Sequence, residues 1–381
     1  MDALGFLVEA MLALEWYQIV QYAVMWVIGG VLIFLAIKFK IEPALLLPMG
    51  FGCILVNIPG TNVLTQDGNT GIIEWLFVVG IEASEAMPIL LFIGIGAMID
   101  FEPLISNPKL MFLGGFAQIG IFLTIILAVL CGFPMNDAAA VGIIGAADGP
   151  TSILVANALN SKYIGPILVV AYSYMALVPI IQPPVIKVLT TKKERLIRME
   201  NVKVRKISKP VKILFPIIVT FVAGLIAPAS LALVGFLMFG NLLRECCVTD
   251  TLKDTAKDVL ANLVTLLLGI TIAFTMQAEA FLTWETLMIM GLGLLAFVFD
   301  TAGGVMLAKF MNLFLKNKIN PMIGGAGISA FPMSARVVHK MGLKEDPTNH
   351  LLMHAVGVNV SGQLASAIIG GLVIGLVTPM M

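Results

Sequence analysis

The sequence predicts an all-α polytopic membrane protein of about ten transmembrane segments, built from two related repeats that each contain a broken or re-entrant helix. Three observations predict it. First, 59% of the 381 residues are apolar and only 12% are charged, about half the charged share of a soluble domain. At about 20 apolar residues per crossing, that suffices for roughly ten spans. Second, the 23 basic and 23 acidic residues cancel overall, yet ten of the 23 Lys/Arg fall between Lys187 and Lys212. The positive-inside rule assigns that loop to the cytoplasm. Third, segments 90–105 and 136–152 are echoed in the same order by 265–281 and 320–334. Paired repeats with interrupted helices are a mark of secondary-transporter folds.

The N-terminus lacks a basic n-region, which argues against a cleaved signal peptide. Leu4, Phe6, Leu7, Met11 and Leu14, spaced around Glu9 and Glu15, suit an amphipathic interfacial helix over 3–15. Trp16, Tyr17, Tyr22 and Trp26 form an aromatic belt where the first span, 19–37, enters the bilayer. Five regions follow: 1–40, the interfacial helix and first span; 41–190, the first membrane repeat; 191–210, the basic cytoplasmic loop; 211–256, connecting spans and a polar linker; and 257–381, the second membrane repeat. Taking every apolar stretch as a full crossing from an outside N-terminus puts the basic loop on the wrong face. At least one stretch is therefore re-entrant or split, and 138–158 and 321–335, matched in the repeat, are the choices. The relative direction of the two copies stays open.

Composition also excludes classes. Zero net charge without a basic, aromatic-rich patch does not suit nucleic-acid binding, and no nucleotide-binding glycine motif is present. Cys53, Cys131, Cys246 and Cys247 have no metal or redox spacing, and His339, His350 and His354 are too scattered for a metal cluster.

Asp148 is the central residue, because it is the only ionisable side chain between Asp137 and Lys162. An aspartate at a helix centre costs about 2.5–3.5 kcal/mol on insertion scales, and a bound cation is the simplest compensation. Gly149 and Pro150 break the helix there, freeing carbonyls that can join the carboxylate around a hard cation. Asp148 can equally cap the helix that Pro150 begins. The second repeat is loosened by Asn320-Pro321 and Gly324–Gly327, followed by Ser329, Pro332, Ser334 and Arg336. Arg336 either answers an anionic group or marks a membrane exit with His339 and Lys340. Asn359 and Gln363 share a helix face that either glues helices or lines a pathway. Tyr172 and Tyr174 face different ways on one helix, and Asp300 is a second acid in an apolar run. Oxygen donors without soft ligands select Na⁺ or H⁺.

At these same residues the chain resembles the membrane-embedded β subunit of the sodium-pumping, biotin-dependent carboxylic-acid decarboxylases. The resemblance covers nearly the whole chain after its first few dozen residues. It rests on GAADGPTSI around Asp148, YSYMALVPIIQPP around Tyr172 and Tyr174, GGAGISAFPMSARV around Arg336 and NHLLMHAVGVNVSGQ through Asn359. The resemblance implies decarboxylation of carboxybiotin, with consumption of a proton, coupled to Na⁺ export across a prokaryotic cytoplasmic membrane. Asp148 would be the principal Na⁺ and coupling residue, while Asn320, Gly324, Ser329 and Asn359 would line or ligate the ion sites. Tyr174, or Tyr172, would relay the proton, and Arg336 would meet the carboxybiotin carboxylate. Implied partners are a biotin carrier protein, a carboxyltransferase subunit and a small membrane-anchored subunit, with three copies of this chain forming a trimer. No biotin-accepting Met-Lys-Met is present, so the biotin belongs to a partner. The competing reading is a plain Na⁺/H⁺ antiporter or Na⁺-coupled anion transporter.

Overall fold

The structure is a computed structural model that describes residues 14–60, 63–65, 70–199 and 207–381. The interfacial helix read over 3–15 falls almost wholly outside them. All regular structure among the described residues is helical. In chain order the main helices are α1 (Trp16–Phe39), α2 (Pro43–Val56), α3 (Ile72–Glu82), α4 (Ala86–Met98), α5 (Leu110–Leu130), α6 (Met135–Ala146) and α7 (Gly149–Ala158). There follow α8 (Ile164–Leu189), α9 (Lys209–Ile226), α10 (Leu231–Glu245), α11 (Asp250–Met276), α12 (Trp284–Phe314), α13 (Met333–Glu345) and α14 (Leu352–Val377).

Seven helices among the described residues are long and apolar enough to cross a bilayer, and α3 and α4, bent by 66° at their junction, can form an eighth span. The short α2 and two helical hairpins account for the other apolar stretches. Charge and burial explain the layout. In the most apolar window of α9 only 11% of residues are buried within the chain, and in that of α14 67% are. So α9 lies at the outside of the chain, while α14 is the central post.

The first hairpin is α6 and α7. Its mouth is closed by polar groups: Asn136 Nδ2 donates to the Leu159 carbonyl (3.3 Å), and Asp137 Oδ1 accepts from Ser161 Oγ (2.7 Å) and the Lys162 amide (3.0 Å). The second runs from Asn320 through a 3-10 turn, Pro321–Gly327, to α13. Both its ends meet the basic linker. Asn320 Nδ2 donates to the Arg195 and Ile197 carbonyls (2.8 and 2.9 Å), and Glu345 pairs with Arg195 at 2.8 Å.

The two mouths lie at opposite ends of the bundle. Phe112 and Phe116 at the start of α5 line one groove with Phe310 and Phe314 at the end of α12, so these equivalent helices run antiparallel. Lys309 Nζ donates to the Leu189 carbonyl (3.0 Å), tying the end of α12 to the linker. The copies are therefore inverted, with the second hairpin entering from the end of the bundle that carries the basic linker and the first from the opposite end. The tips touch where the Ser329 amide donates to the Ala146 carbonyl (3.0 Å).

Asn320 supplies two of the hydrogen bonds that hold the linker, and the effect of losing them is measurable. Each hydrogen bond is worth about 1 kcal/mol, or about fivefold in local opening. Trypsin should therefore cut Asn320→Ala after Arg195 and Arg198 several times faster than the parent chain in membranes. An unaltered cleavage rate would show that Asn320 does not hold the linker.

Candidate functional site

The first break begins where α6 tightens into a 3-10 turn at Ile143–Ala146. Ala147 then takes a left-handed conformation (φ 53°) and Asp148 is extended (φ −132°, ψ 99°) before α7 starts. The unusual backbone thus sits at Ala147, and Gly149 serves another purpose. A Cβ on Gly149 would lie 2.1 Å from Cζ of Tyr172; the missing side chain makes room for the tyrosine ring.

Asp148 is only 3% exposed. Its Oδ2 accepts from Thr151 Oγ1 (2.6 Å), Ser366 Oγ (3.0 Å) and Gln363 Nε2 (3.1 Å). Asp148 stands at the N-cap position of α7 with Pro150 in its first turn, so the capping position and the cluster coexist. No ion pair among the described residues involves it. Three neutral donors orient the carboxylate without neutralising it, and a buried charge without a counter-charge is costly. Tyr172, with a buried Oη lacking any partner, lies beside it. Tyr174 points elsewhere: its Oη donates to the Met290 carbonyl of α12 at 2.7 Å. The two-residue spacing separates the tyrosines as a helix requires.

The second break adjoins the first. Ser329 Oγ donates to the Gly362 carbonyl (3.0 Å). Asn359 Nδ2 donates to the Ile328 carbonyl (2.7 Å), leaving Asn359 Oδ1 buried and unpartnered. Helix α14 is the shared wall, with Asn359 and Gly362 on the second break and Gln363 and Ser366 on the first. Of the residues that the resemblance assigns to ion sites, Asp148, Ser329 and Asn359 are brought to the meeting point of the hairpins. Asn320 and Gly324 are engaged differently. Asn320 clips the linker and accepts from the Met322 amide (3.1 Å), and Gly324 packs on Gly304, where a Cβ on either would lie 2.0 Å from the other's carbonyl oxygen. Thr151, Gln363 and Ser366 are absent from that set. For Gln363 and Ser366 the sequence signal is their spacing with Asn359 along a single helix face; Thr151 follows directly on the Gly-Pro break.

Arg336 lies on α13 in a cavity of about 510 Å³ between α13 and the proline-rich half of α8. Lys40, Lys187, Lys340 and Lys344 share its walls with Glu42 and Glu345. Burial pushes the Glu42 carboxyl up from its usual range, against the pull of Arg336, and five basic side chains face two acidic ones across the cavity. It lies at the end of the bundle that carries the basic linker.

Inverted repeats whose interrupted helices meet around a buried, unpaired carboxylate define a class: multi-pass membrane proteins that carry a cation through the repeat interface. A family profile described as the Na⁺-transporting oxaloacetate decarboxylase beta subunit matches residues 21–377. The methylmalonyl-CoA decarboxylase subunit beta of Propionigenium modestum is 47% identical, over 93% of this chain and 94% of its own. The glutaconyl-CoA decarboxylase subunit beta of Acidaminococcus fermentans is also 47% identical, over 93% of each chain. The oxaloacetate decarboxylase beta chain of Klebsiella pneumoniae is 41% identical, over 94% of this chain and 95% of its own. The chain belongs to this family of Na⁺-transporting decarboxylase beta subunits.

Proposed function

We propose that this chain decarboxylates carboxybiotin presented by a partner's biotin carrier, consumes one proton per turnover, and drives Na⁺ outward through Asp148. The observation that carries the reading is the Asp148 carboxylate, buried without a counter-cation where the two hairpins meet. A Na⁺ at Asp148 favours the carboxylate, and its departure favours protonation. Na⁺ and a proton then exclude one another, which couples ion movement to proton delivery. The chemical step breaks the N–CO₂⁻ bond of carboxybiotin, releases CO₂ and places a proton on the biotin nitrogen. Tyr174, or Tyr172 beside Asp148, relays the proton.

The cationic cavity around Arg336 supports carboxybiotin entry from the cytoplasmic side, since a guanidinium suits a planar carboxylate. The implied assembly contains a biotin carrier, a carboxyltransferase, a small membrane-anchored subunit and three copies of this chain. The curated relatives are named for three different acids, which fits substrate choice residing in the carboxyltransferase. Family membership favours this reading over a plain Na⁺/H⁺ antiporter.

The test is decarboxylation of free carboxybiotin by the purified complex, titrated with Na⁺. Saturable activation by Na⁺ is the expected result; Na⁺ flux without carboxybiotin turnover would overturn the assignment. In the same assay Arg336→Gln should raise KM for carboxybiotin about tenfold, the value of one charge-assisted contact, with half-saturation by Na⁺ unchanged. An unchanged KM would remove Arg336 from the entry site.

A further inference from the structure

Three adjoining cavities wrap the last turns of α12, at the end of the bundle that carries the basic linker. The largest, about 730 Å³, runs between α12 and the start of α5, and Lys109 is the only polar side chain in its wall. Phe310 and Phe314 of α12, packed edge to face with ring centroids 5.3 Å apart, line it together with Phe112 and Phe116. On one side it shares Phe310 with a cavity of about 600 Å³ that holds Lys193, Glu194, Lys309 and Lys318. On the other it shares Met311 and Leu315 with one of about 410 Å³ that holds Lys109 and Lys316. Neither the Asp148 site nor the Arg336 cavity uses any of these side chains.

The charge here is one-sided. Against the five lysines stands Glu194, which Lys309 already pairs at 3.2 Å. Among the described residues Lys109, Lys193, Lys316 and Lys318 form no ion pair. The loop that carries Lys316 and Lys318 is held in place by Asn312, whose Nδ2 donates to the Ile319 carbonyl and whose Oδ1 accepts from the Ile319 amide, both at 2.8 Å. The repeat offers an internal comparison. With Ser152 set against Ser334, residues 313–318 (Leu-Phe-Leu-Lys-Asn-Lys) correspond to 131–136 (Cys-Gly-Phe-Pro-Met-Asn). The equivalent turn at the opposite end carries no cation, so packing of α5 against α12 does not itself require the lysines.

We infer that this groove binds an anionic phospholipid from the adjoining leaflet, with its phosphate between Lys193 and Lys318 and an acyl chain along Phe310, Phe314 and Phe112. An apolar trough that opens onto unpaired lysines suits an anion with hydrocarbon attached, because each part of the ligand then meets its own kind of surface. A free anion would leave the aromatic trough unused, and a neutral lipid would leave the lysines unanswered. Lys309 also donates to the Leu189 carbonyl at 3.0 Å, so the bound lipid lies against the contact that ties α12 to the linker. The inference needs only that the chain spans a membrane, and it stands apart from the reading of carboxybiotin turnover.

The test is equilibrium binding of radiolabelled phosphatidylglycerol, compared with phosphatidylcholine, to the delipidated complex in detergent micelles. Saturable binding is expected, tighter for phosphatidylglycerol by about fivefold or more. Lys193→Gln combined with Lys318→Gln should weaken it about 25-fold, at about fivefold per lysine. Phe314→Ala, which shortens the apolar wall, should weaken it severalfold. Lys253→Gln combined with Lys257→Gln removes the same charge from the start of α11 and should leave binding unchanged. Glycerol 3-phosphate at millimolar concentration should not displace the lipid. Equal affinity for the two lipids, or equal losses in the two lysine pairs, would reveal a general charge effect and overturn the site. Displacement by glycerol 3-phosphate would make this a free phosphate site and overturn the lipid assignment. Binding that neither the Lys193 and Lys318 pair nor Phe314→Ala alters would give this face to a neighbouring chain instead.

Discussion

Asp148→Asn in the assembled complex is expected to abolish Na⁺-stimulated decarboxylation, lowering it about 100-fold or more. That corresponds to about 3 kcal/mol, the scale of removing one partner from a buried charge pair. Asparagine has nearly the volume of aspartate, and its oxygen can still accept from Thr151 and Ser366, which donate to Oδ2 in the parent at 2.6 and 3.0 Å. The fold should therefore survive, and the loss should appear in function alone. The measurement is turnover of free carboxybiotin against Na⁺ concentration, with assembly checked by gel filtration. Ordinary Na⁺ activation in the variant would show that the carboxylate at the hairpin junction is not the coupling group.

Gly149→Ala should be nearly as damaging, for a steric reason. The added methyl would sit 2.1 Å from Tyr172 Cζ, so either the ring or the start of α7 must move, and α7 is tied to Asp148 through Thr151. Overpacking of this kind costs about 1–3 kcal/mol, and displacement of the carboxylate adds a loss of Na⁺ affinity. Tyr172→Ala in the same chain should recover most of the stability, giving a coupling energy of about 1 kcal/mol or more in a double-mutant cycle. Thermal unfolding of the two single variants and the double variant decides it. Additive effects would mean that the tyrosine ring does not rest on Gly149.

Several features were legible in the chain itself, because they follow from the cost of polar groups in hydrocarbon. Fifty-nine percent apolar residues determine a multi-pass protein, and by the positive-inside rule the basic cluster at 187–212 is the sequence's mark of a cytoplasmic loop. A lone aspartate beside Gly-Pro marks the first break, since burying its charge and losing a helix hydrogen bond both demand a reason. The repeated segments locate the second break at 320–334.

Other features depend on where helices come to rest, and local pattern carries no record of that. Gln363 and Ser366, more than two hundred residues beyond Asp148, reach its carboxylate only because α14 passes between the hairpins. Asn320 carries the same amide as Asn359, yet one clips the linker and the other faces the second break. Gly149 reads as a residue of permissive backbone, but packing gives it to the Tyr172 ring and leaves the left-handed turn to Ala147. The direction of the second repeat, on which the meeting of the hairpins depends, is likewise decided by packing. Which polar groups must be compensated inside the membrane can be read residue by residue, because the cost belongs to each side chain. Which groups compensate which emerges only from packing, because that depends on distances between segments far apart in the chain.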